Sequence, residues 1–465
     1  MHKIRFQRVL FVILALWGAG YARPDYYVAT NGNHIYPYDD PSKAATNIQS
    51  AVTAAVNNTT IWVSAGLYSI SASNATVVTI NDKSLALRGA SGNPADTFID
   101  GAGTNRGIYV SMTAPKTVLI DGFTITNCSA ATIGGGVCLS HTAVNAGTGI
   151  VQNCIIVNND ARGNDSWYGG GGIYSRAANP SGFLTVVSNC TIAGNKAIRD
   201  GGGGASFYYG TVIMQDCIIR NNAATNYGYS TGGGIRSMTA NAGSLIKNCL
   251  VESNSALYFG AGVYNTSGAD MENCIMRRNY GPYGVGIFIA GNSRTNILRN
   301  CLISDNRATA YACGIEVSDG SALLENCTIV TNVTLPPGSG YGTGGFLSAG
   351  ASTTIFQNTV AYFNYGPSGR SNYTITAGTC LFRNSCTAPL PAGSGNTSNN
   401  PLFAAVTGGD YHPTAGSPCI NAGLNAPWMD GAKDLDSHTR IDVFSRIVDM
   451  GVYEYHPQGV MFKVR

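Results

Sequence analysis

The phrase Cys-x-Ile-x-x-Asn returns along the middle of the chain, and it constrains the fold more than any other feature. It reads Cys154-Ile-Ile-Val-Asn-Asn159, then Cys190-Thr-Ile-Ala-Gly-Asn195, then Cys217-Ile-Ile-Arg-Asn-Asn222. Looser copies run from Cys249 to Asn254, Cys274 to Asn279, Cys301 to Asn306 and Cys327 to Asn332. Thr359 to Asn364 lacks the Cys, an early copy starts at Phe123 with Cys128 in the Asn slot, and a degenerate one starts at Cys380. Copies are 21 to 36 residues apart, several of them 25 to 27. A second phrase follows each Asn after a variable gap. It is Gly-Gly-Gly-Val at 134–137 and Gly-Gly-Gly-Ile at 170–173 and 232–235, with looser forms at 260–263, 284–287, 312–315 and 344–346. A period of this length marks a stacked repeat, in which no single unit can bury its own apolar face.

Within each unit the Cys and the residue two later share one side of a strand. Those second residues are Ile156, Ile192, Ile219, Val251, Met276, Ile303 and Ile329. Stacking units at about 4.8 Å turns each set into an apolar ladder inside the solenoid. Asn tolerates a left-handed corner better than other non-Gly residues, and stacked amides hydrogen-bond along the axis. Glycines let the chain turn before the next strand. The expectation is an all-β, right-handed parallel β-helix of about ten coils, with an N-terminal capping helix and a C-terminal cap.

Four segments follow. Residues 1–22 read as a cleavable signal peptide: Lys3, Arg5 and Arg8, then an apolar run from Val9 to Trp17, then Gly20-Tyr21-Ala22 with cleavage after Ala22. Residues 23–105 read as the N-terminal cap and first coils. A strand begins at Tyr26, a helix starts at Asp40-Pro41 with Ile48, Ala51, Val52 and Ala55 as its apolar stripe, and strand-like runs follow at Ile61–Tyr68 and Leu85–Gly89. Residues 106–400 hold the repeats. Residues 401–465 lose the period, gain Pro and Asp, and end on Tyr453-Glu-Tyr455 as a final strand. The mature chain has no stretch long and apolar enough to span a bilayer, so it is expected to be exported, and either secreted or held at a bacterial cell surface. Charged residues are only 11% and the net charge is +3, with no basic run after the first eight residues, which argues against nucleic acid as partner.

The run "YYVATNGN…NIQSAVTAAVNNTTIWVSAGLY" resembles the entry strand, capping helix and first coil of the pectate-lyase-like superfamily of right-handed β-helix proteins. The tail "NPLF…GDYHPTAGSPCINAG…DLDSHTRIDVFSRIVDMGVYEY" is similar to the closing region of secreted bacterial choice-of-anchor Q proteins, with Ser437 where a Gly usually follows Asp-x-Asp. The alternation of Gly-Gly-Gly-Ile with Ile-x-x-Asn resembles the repeats of chlamydial polymorphic outer membrane adhesins. These likenesses imply a fold and an extracellular setting, not an activity.

Thirteen cysteines in an exported chain invite disulfides, yet most occupy one repeat slot. Parallel Cβ vectors about 4.8 Å apart suit packing rather than bonding. Reduced, buried thiols are expected, with Cys380–Cys386 and Cys128–Cys138 the pairs worth testing. Zinc is not expected, as neither Cys-x-x-Cys nor a His cluster is visible. Lys247, Glu272, Arg299 and Glu325 alternate in sign two positions before the Cys slot, and Glu252 and Arg277 do so three after it. They read as charge ladders, against a reading in which Arg299 or Lys247 holds an acidic sugar. In the tail, Asp434, Asp436, Arg440 and Asp449 offer oxygen ligands for Ca²⁺. The simpler reading pairs Arg440 with one carboxylate and leaves the rest to shape turns.

Aromatic residues gather between the Asn corner and the Gly run: Trp167, Tyr168, Tyr227, Tyr229, Tyr258, Phe259, Tyr280, Tyr283, Tyr311 and Tyr341. In register they form a ridge on which a glycan chain would stack, or else they shield the turns beneath. The paired Asp with Gly-His-Gly of polygalacturonase relatives and the Arg-x-Pro-x-x-Arg of pectate lyases are both missing. Lys196, Arg199 and Asp200 make one compact polar group beside a Gly run, the weak catalytic candidates, and otherwise a solvated turn. The leading expectation is a non-catalytic module binding polysaccharide or cell-surface glycan, with no cofactor. The alternative is a polysaccharide lyase or glycoside hydrolase with a divergent site in the groove.

Overall fold

The computed structural model describes residues 24–142, 146–163, 169–178, 182–199, 201–225, 230–238, 241–266, 268–336 and 342–457. The chain is an all-β parallel solenoid of about ten coils with almost no helix, and it divides after Ile219 into two compact units.

The first unit opens with the strand Tyr26–Val28, which pairs in parallel with Thr59–Val63. The helix starts later than Asp40-Pro41. Those residues form only the single turn Pro41–Lys43, with the Asp40 carboxylate accepting from Ser42 N–H. The α-helix is Ile48–Ala54, capped by the Asn47 side chain, which accepts from Ser50 N–H, and it buries Ile48, Ala51 and Val52. An Asn with extended backbone directly before the apolar stripe satisfies the first free N–H groups, so the helix begins there. The run Ile61–Tyr68 splits into Thr59–Val63 and Gly66–Tyr68, whereas Leu85–Gly89 is one strand.

Each coil then has the same order. Two in-line strands of a long sheet are followed by a short strand of a second sheet, the Cys-x-Ile segment. A two-residue strand of a third sheet comes after the Asn. In the first unit, Arg106–Met112, Val137–His141, Ile173–Ala177 and Ala205–Tyr208 stack in parallel in the long sheet. Thr124–Thr126, Ile155–Val157 and Thr191–Ala193 stack in the second. In the second unit the two in-line strands fuse in Ile287–Arg299 and Ile315–Glu325.

The inner ladder is as expected: Ile156, Ile192, Ile219, Val251, Met276, Ile303 and Ile329 are wholly buried. The corners differ in one respect. The Asn of the repeat is not left-handed; the residue before it is, at Asn158, Asn221, Ser253, Arg278, Asp305, Thr331 and Phe363. The repeat Asn turns inward instead, where its side chain links coils. Asn279 donates from its backbone N–H and its side-chain amide to Asn306 Oδ1, both at 3.0 Å, and Asn306 does the same to Asn332 at 3.2 and 2.8 Å. Gly286 shows why the Gly run is needed beside that ladder. A Cβ there would lie 2.4 Å from Gly314 O and 3.0 Å from the Asn306 amide nitrogen, so a side chain would push the coils apart.

A second Asn ladder, just before the Cys slot, is the left-handed one. Asn273 donates to Asn248 Oδ1 at 3.1 Å and Asn300 to Asn273 Oδ1 at 3.0 Å. Its last rungs hold the C-terminal cap. Asn300 donates to Lys433 O, Asn326 to Asp449 O and Asn358 to Leu424 O. The cap thereby covers the outer face of the second sheet, where Leu302 and Val330 pack with Tyr411 and Val452, and Ile275 lies against them. The apolar residues after the Cys slot are therefore a covered face in this unit. Tyr453-Glu-Tyr455 is not a strand. Its N–H groups go to carboxylates instead, Glu454 N–H to Asp434 and Tyr455 N–H to Asp449.

All thirteen cysteines are free, and all but Cys380 are buried. Burial pushes the Cys128 and Cys138 thiols up to about 12. Neither proposed pair is bonded. Cys386 packs on Cys419 of the cap, while Cys380 sits on the long-sheet strand Thr379–Arg383. No helix among the described residues is long and apolar enough to cross a membrane.

Candidate functional site

Of the expected aromatic ridge, the described part lies in the second unit, where its rings pack on one another. In the second unit Tyr258, Tyr283 and Tyr311 occupy successive coils, with ring centroids 5.2 and 5.1 Å apart. Phe259 sits 5.2 Å from Tyr283 and 4.2 Å from Phe288. Phe288 in turn stacks on Tyr264 at 5.5 Å, nearly parallel. Each of these rings thus contacts another ring, while Tyr258 remains 36% exposed. This arrangement shields the sheet beneath it, which carries Tyr264, Phe288 and Glu316 in one register row. Glu316 is 6% exposed, and its Oε2 has no partner. Burial raises its carboxyl to about 7, opposed by a hydrogen bond from the Gly284 backbone. Trp167, Tyr168, Tyr227, Tyr229, Tyr341 and Asp200 lie outside the described residues.

Lys196 is exposed on the two-residue strand Lys196–Ala197 of the first unit, and Arg199 is exposed in the bend that follows it. The charge ladders are paired. Lys247 bonds Glu272 at 2.8 Å, Arg299 bonds Glu325 at 2.7 Å and Arg277 bonds Glu252 at 2.9 Å. Arg299 and Lys247 are therefore occupied and do not line a cleft for an acidic sugar.

A cleft of about 420 Å³ opens elsewhere, lined by Arg278, Asn279, Tyr280, Asp305, Arg307 and the cap loop Thr407, Gly408 and Gly409. The repeat itself builds it. Arg278 and Asp305 are the corner residues of consecutive coils, while Tyr280 and Arg307 are register partners in the third sheet. Arg278 takes the left-handed conformation at φ 56°, as the corner residues of the other coils do, among them Asn221, Ser253, Asp305 and Thr331. Arg278 and Arg307 are both exposed, and neither is ion-paired among the described residues. Tyr280 is 51% exposed. Asp305 is tethered, accepting from Thr331 Oγ1 at 2.8 Å, with the Tyr411 hydroxyl at 3.4 Å. Of this lining, Tyr280 belongs to the aromatic set expected from the sequence, and the two arginines belong to none of the expected sites. Their signal was there to read: an Arg in the corner slot, and another directly after the repeat Asn.

The tail carboxylates are engaged with backbone. Asp434 accepts from the N–H groups of Asp436, His438 and Glu454, and Asp449 from those of Asn421 and Tyr455. Arg440, wholly buried, pairs with Glu454 at 3.3 Å and donates to the carbonyls of Val452 and Gly451. Burial raises Glu454 to about 8, against the pull of Arg440. Asp436 joins Asp410 around His412, with contacts of 2.6 Å to each ring nitrogen. Those bonds, that from Asp436 foremost, lift the imidazole to about 9 despite its burial. The expectation that no His cluster exists is corrected here. Asp434, His438 and His456 bring their ligand atoms within 4.8 Å of one another. A gap of eighteen positions between the two histidines hid this in the sequence.

Residues 171–361 match the family model described as right handed beta helix region. Together with the parallel register of the three sheets, this makes the protein a right-handed parallel β-helix. The pectate lyase Pel9A is similar at 13% identity over 94% of this chain and 97% of that one, with a TM-score of 0.42. The catalytic unit of a thermostable GH87 alpha-1,3-glucanase from Streptomyces thermodiastaticus strain HF3-3 is similar at 12% identity, over 82% and 71%, with a TM-score of 0.28. No curated protein matches the chain.

Proposed function

We propose that this β-helix binds an acidic polysaccharide outside the cell without cleaving it, in the cleft between the coil corners and the cap loop. The observation that carries this reading is the pair of exposed guanidinium groups, Arg278 and Arg307, beside the exposed ring of Tyr280. A planar guanidinium matches a carboxylate or sulfate through two parallel hydrogen bonds. A tyrosine ring offers an apolar face to a sugar and a hydroxyl to its edge. Hydrolysis needs two carboxylates across one bond, and the cleft lining contains one, Asp305, already held by a hydroxyl.

One observation favours a second reading. Asp305 lines the same cleft as the two arginines, so a base lies near cations able to neutralise a uronate carboxylate, which is what β-elimination requires. Retention on immobilised polygalacturonate, alginate, heparan sulfate and a neutral glucan, with release of unsaturated ends followed in parallel, separates the two. Binding predicts salt-sensitive retention on acidic polymers that falls at least tenfold in Arg278→Ala with Arg307→Ala. Equal retention on the neutral glucan, or retention indifferent to both substitutions, would overturn it. Turnover that Asp305→Asn abolishes would establish the lyase instead.

A further inference from the structure

We propose that Asp434, His438 and His456 form a binding site in the cap for a divalent transition-metal ion of the Zn²⁺ type. Three ligand atoms, one from each residue, lie within 4.8 Å of one another. The two imidazole rings are 4.0 Å apart between centroids and tilted by 47°. The carboxylate is the preorganised member. Its side chain is wholly buried, and its oxygens accept N–H groups from Asp436 at 2.9 Å, His438 at 2.8 Å and Glu454 at 3.0 Å. An ionised carboxylate has about four acceptor positions. Three are filled, and Oδ2, which carries one of them, faces the ring of His438. His438 Nδ1 is 3.5 Å from that oxygen, too far for a hydrogen bond. Neither group is consumed by the other, and a small shift of the exposed rings brings both to metal-ligand distances of about 2.0–2.2 Å.

The donor set decides the class of ion. Two imidazole nitrogens and one carboxylate oxygen suit Zn²⁺, Ni²⁺ or Cu²⁺, whereas Ca²⁺ takes oxygen ligands alone. Both histidines are solvent-facing, which leaves room for water as a fourth ligand. Asp442 also lies within electrostatic reach of His456 and adds negative potential. The ion would act as a clip. His456 follows the segment whose Glu454 N–H already bonds Asp434, so coordination fastens that segment to the 434–438 turn a second time.

The test uses the mature chain without an affinity tag, stripped with chelator and titrated with ZnCl₂ by calorimetry. Thermal melts and Co²⁺ absorption are recorded alongside. One equivalent should bind, the melting temperature should rise with Zn²⁺ concentration, and Co²⁺ should give the intense visible bands of a four-coordinate site. His438→Gln with His456→Gln should weaken binding at least tenfold while leaving the metal-free melt unchanged, since both rings are exposed. His412→Gln should bind as the parent does. No saturable binding, binding unchanged in the double variant, or displacement of Zn²⁺ by equimolar Ca²⁺ would each overturn the site.

Discussion

In the coils of the second unit each buried Asn meets a copy of itself, whereas in the cap each buried ionic group meets an unlike partner. Asn254, Asn279, Asn306 and Asn332 are neutral and fully buried, and they are linked by hydrogen bonds of 2.8 to 3.2 Å. The cap buries Arg440, Glu454, Asp434 and Asp449, held by one ion pair and by backbone groups of different turns, with Arg440 Nε and Glu454 Oε1 making no hydrogen bond. The difference follows from geometry. An amide is both donor and acceptor, so a row of identical side chains at the coil pitch satisfies itself with no charge removed from water. The cap has no next coil to supply the following rung. Its irregular carbonyls and N–H groups need strong donors and acceptors, and guanidinium and carboxylate groups provide them.

The sharpest way to test this contrast is to remove the ionic centre. Arg440→Met leaves Glu454 and two carbonyls without their donor in a buried place, and should cost about 3–5 kcal/mol. The loss should appear in denaturant unfolding and as faster amide exchange within 419–455. Pairing it with Glu454→Leu should recover much of the loss, because the buried carboxyl left without its partner then goes as well. A neutral rung should cost less. Asn306→Ala removes the acceptor of two Asn279 donors and two donors of its own, with a small cavity, and should lose about 2–3 kcal/mol. Equal costs for the two would erase the distinction between ladder and ionic network.

How far the sequence showed each region tracks the same contrast. The ladder could be read because it repeats: every Ile of the inner row and every sign of the charge ladder appeared as a spacing. What the spacing could not show was which of two adjacent residues turns left-handed. Asn158 and Asn159 are the same residue type, and only burial separates the turning one from the linking one. The cap does not repeat, so its partners are set by three-dimensional contact. Arg440 was expected to pair with an Asp and pairs with Glu454. His438 and His456 meet only because the last segment folds back on the 434–438 turn. The cleft falls between these cases. Its residues occupy repeat slots, but its far wall, Thr407 to Gly409, comes from the cap.

The cap should also titrate, above the range of the coil carboxylate Glu316 with its folded value of about 7. His412 has its folded pKa raised to about 9, against an ordinary value near 6.5. A group raised in this way contributes stability that is complete below about 6.5 and lost as pH climbs through about 9. With about a third of the side chain in water, the contribution is on the order of 1 kcal/mol after screening. Thermal melts from pH 6 to 10 should show the decline, and His412→Gln should remove its upper part, near pH 9, and leave the lower part that belongs to Glu454 and Glu316. A decline of the same size in that variant would assign the pH dependence to other groups.

A last contrast separates two rungs of one charge ladder, one of which lies under a ring of the cap. Arg299 and Glu325 pair at 2.7 Å with the Glu side chain 7% exposed, and the guanidinium lies 5.1 Å from the Trp428 ring of the cap. Lys247 and Glu272 pair at 2.8 Å with each side chain about one third exposed. Spacing along the sequence makes the two rungs equivalent, but the surrounding dielectric does not. A double-mutant cycle on Arg299 and Glu325 should give a coupling of about 1–3 kcal/mol, largely insensitive to salt. The same cycle on Lys247 and Glu272 should give no more than about 0.5 kcal/mol and vanish at 1 M salt. Equal couplings would mean that the ladder alone sets the strength of its rungs. Unequal ones would mean that the cap turns a repeated surface pair into a structural bond.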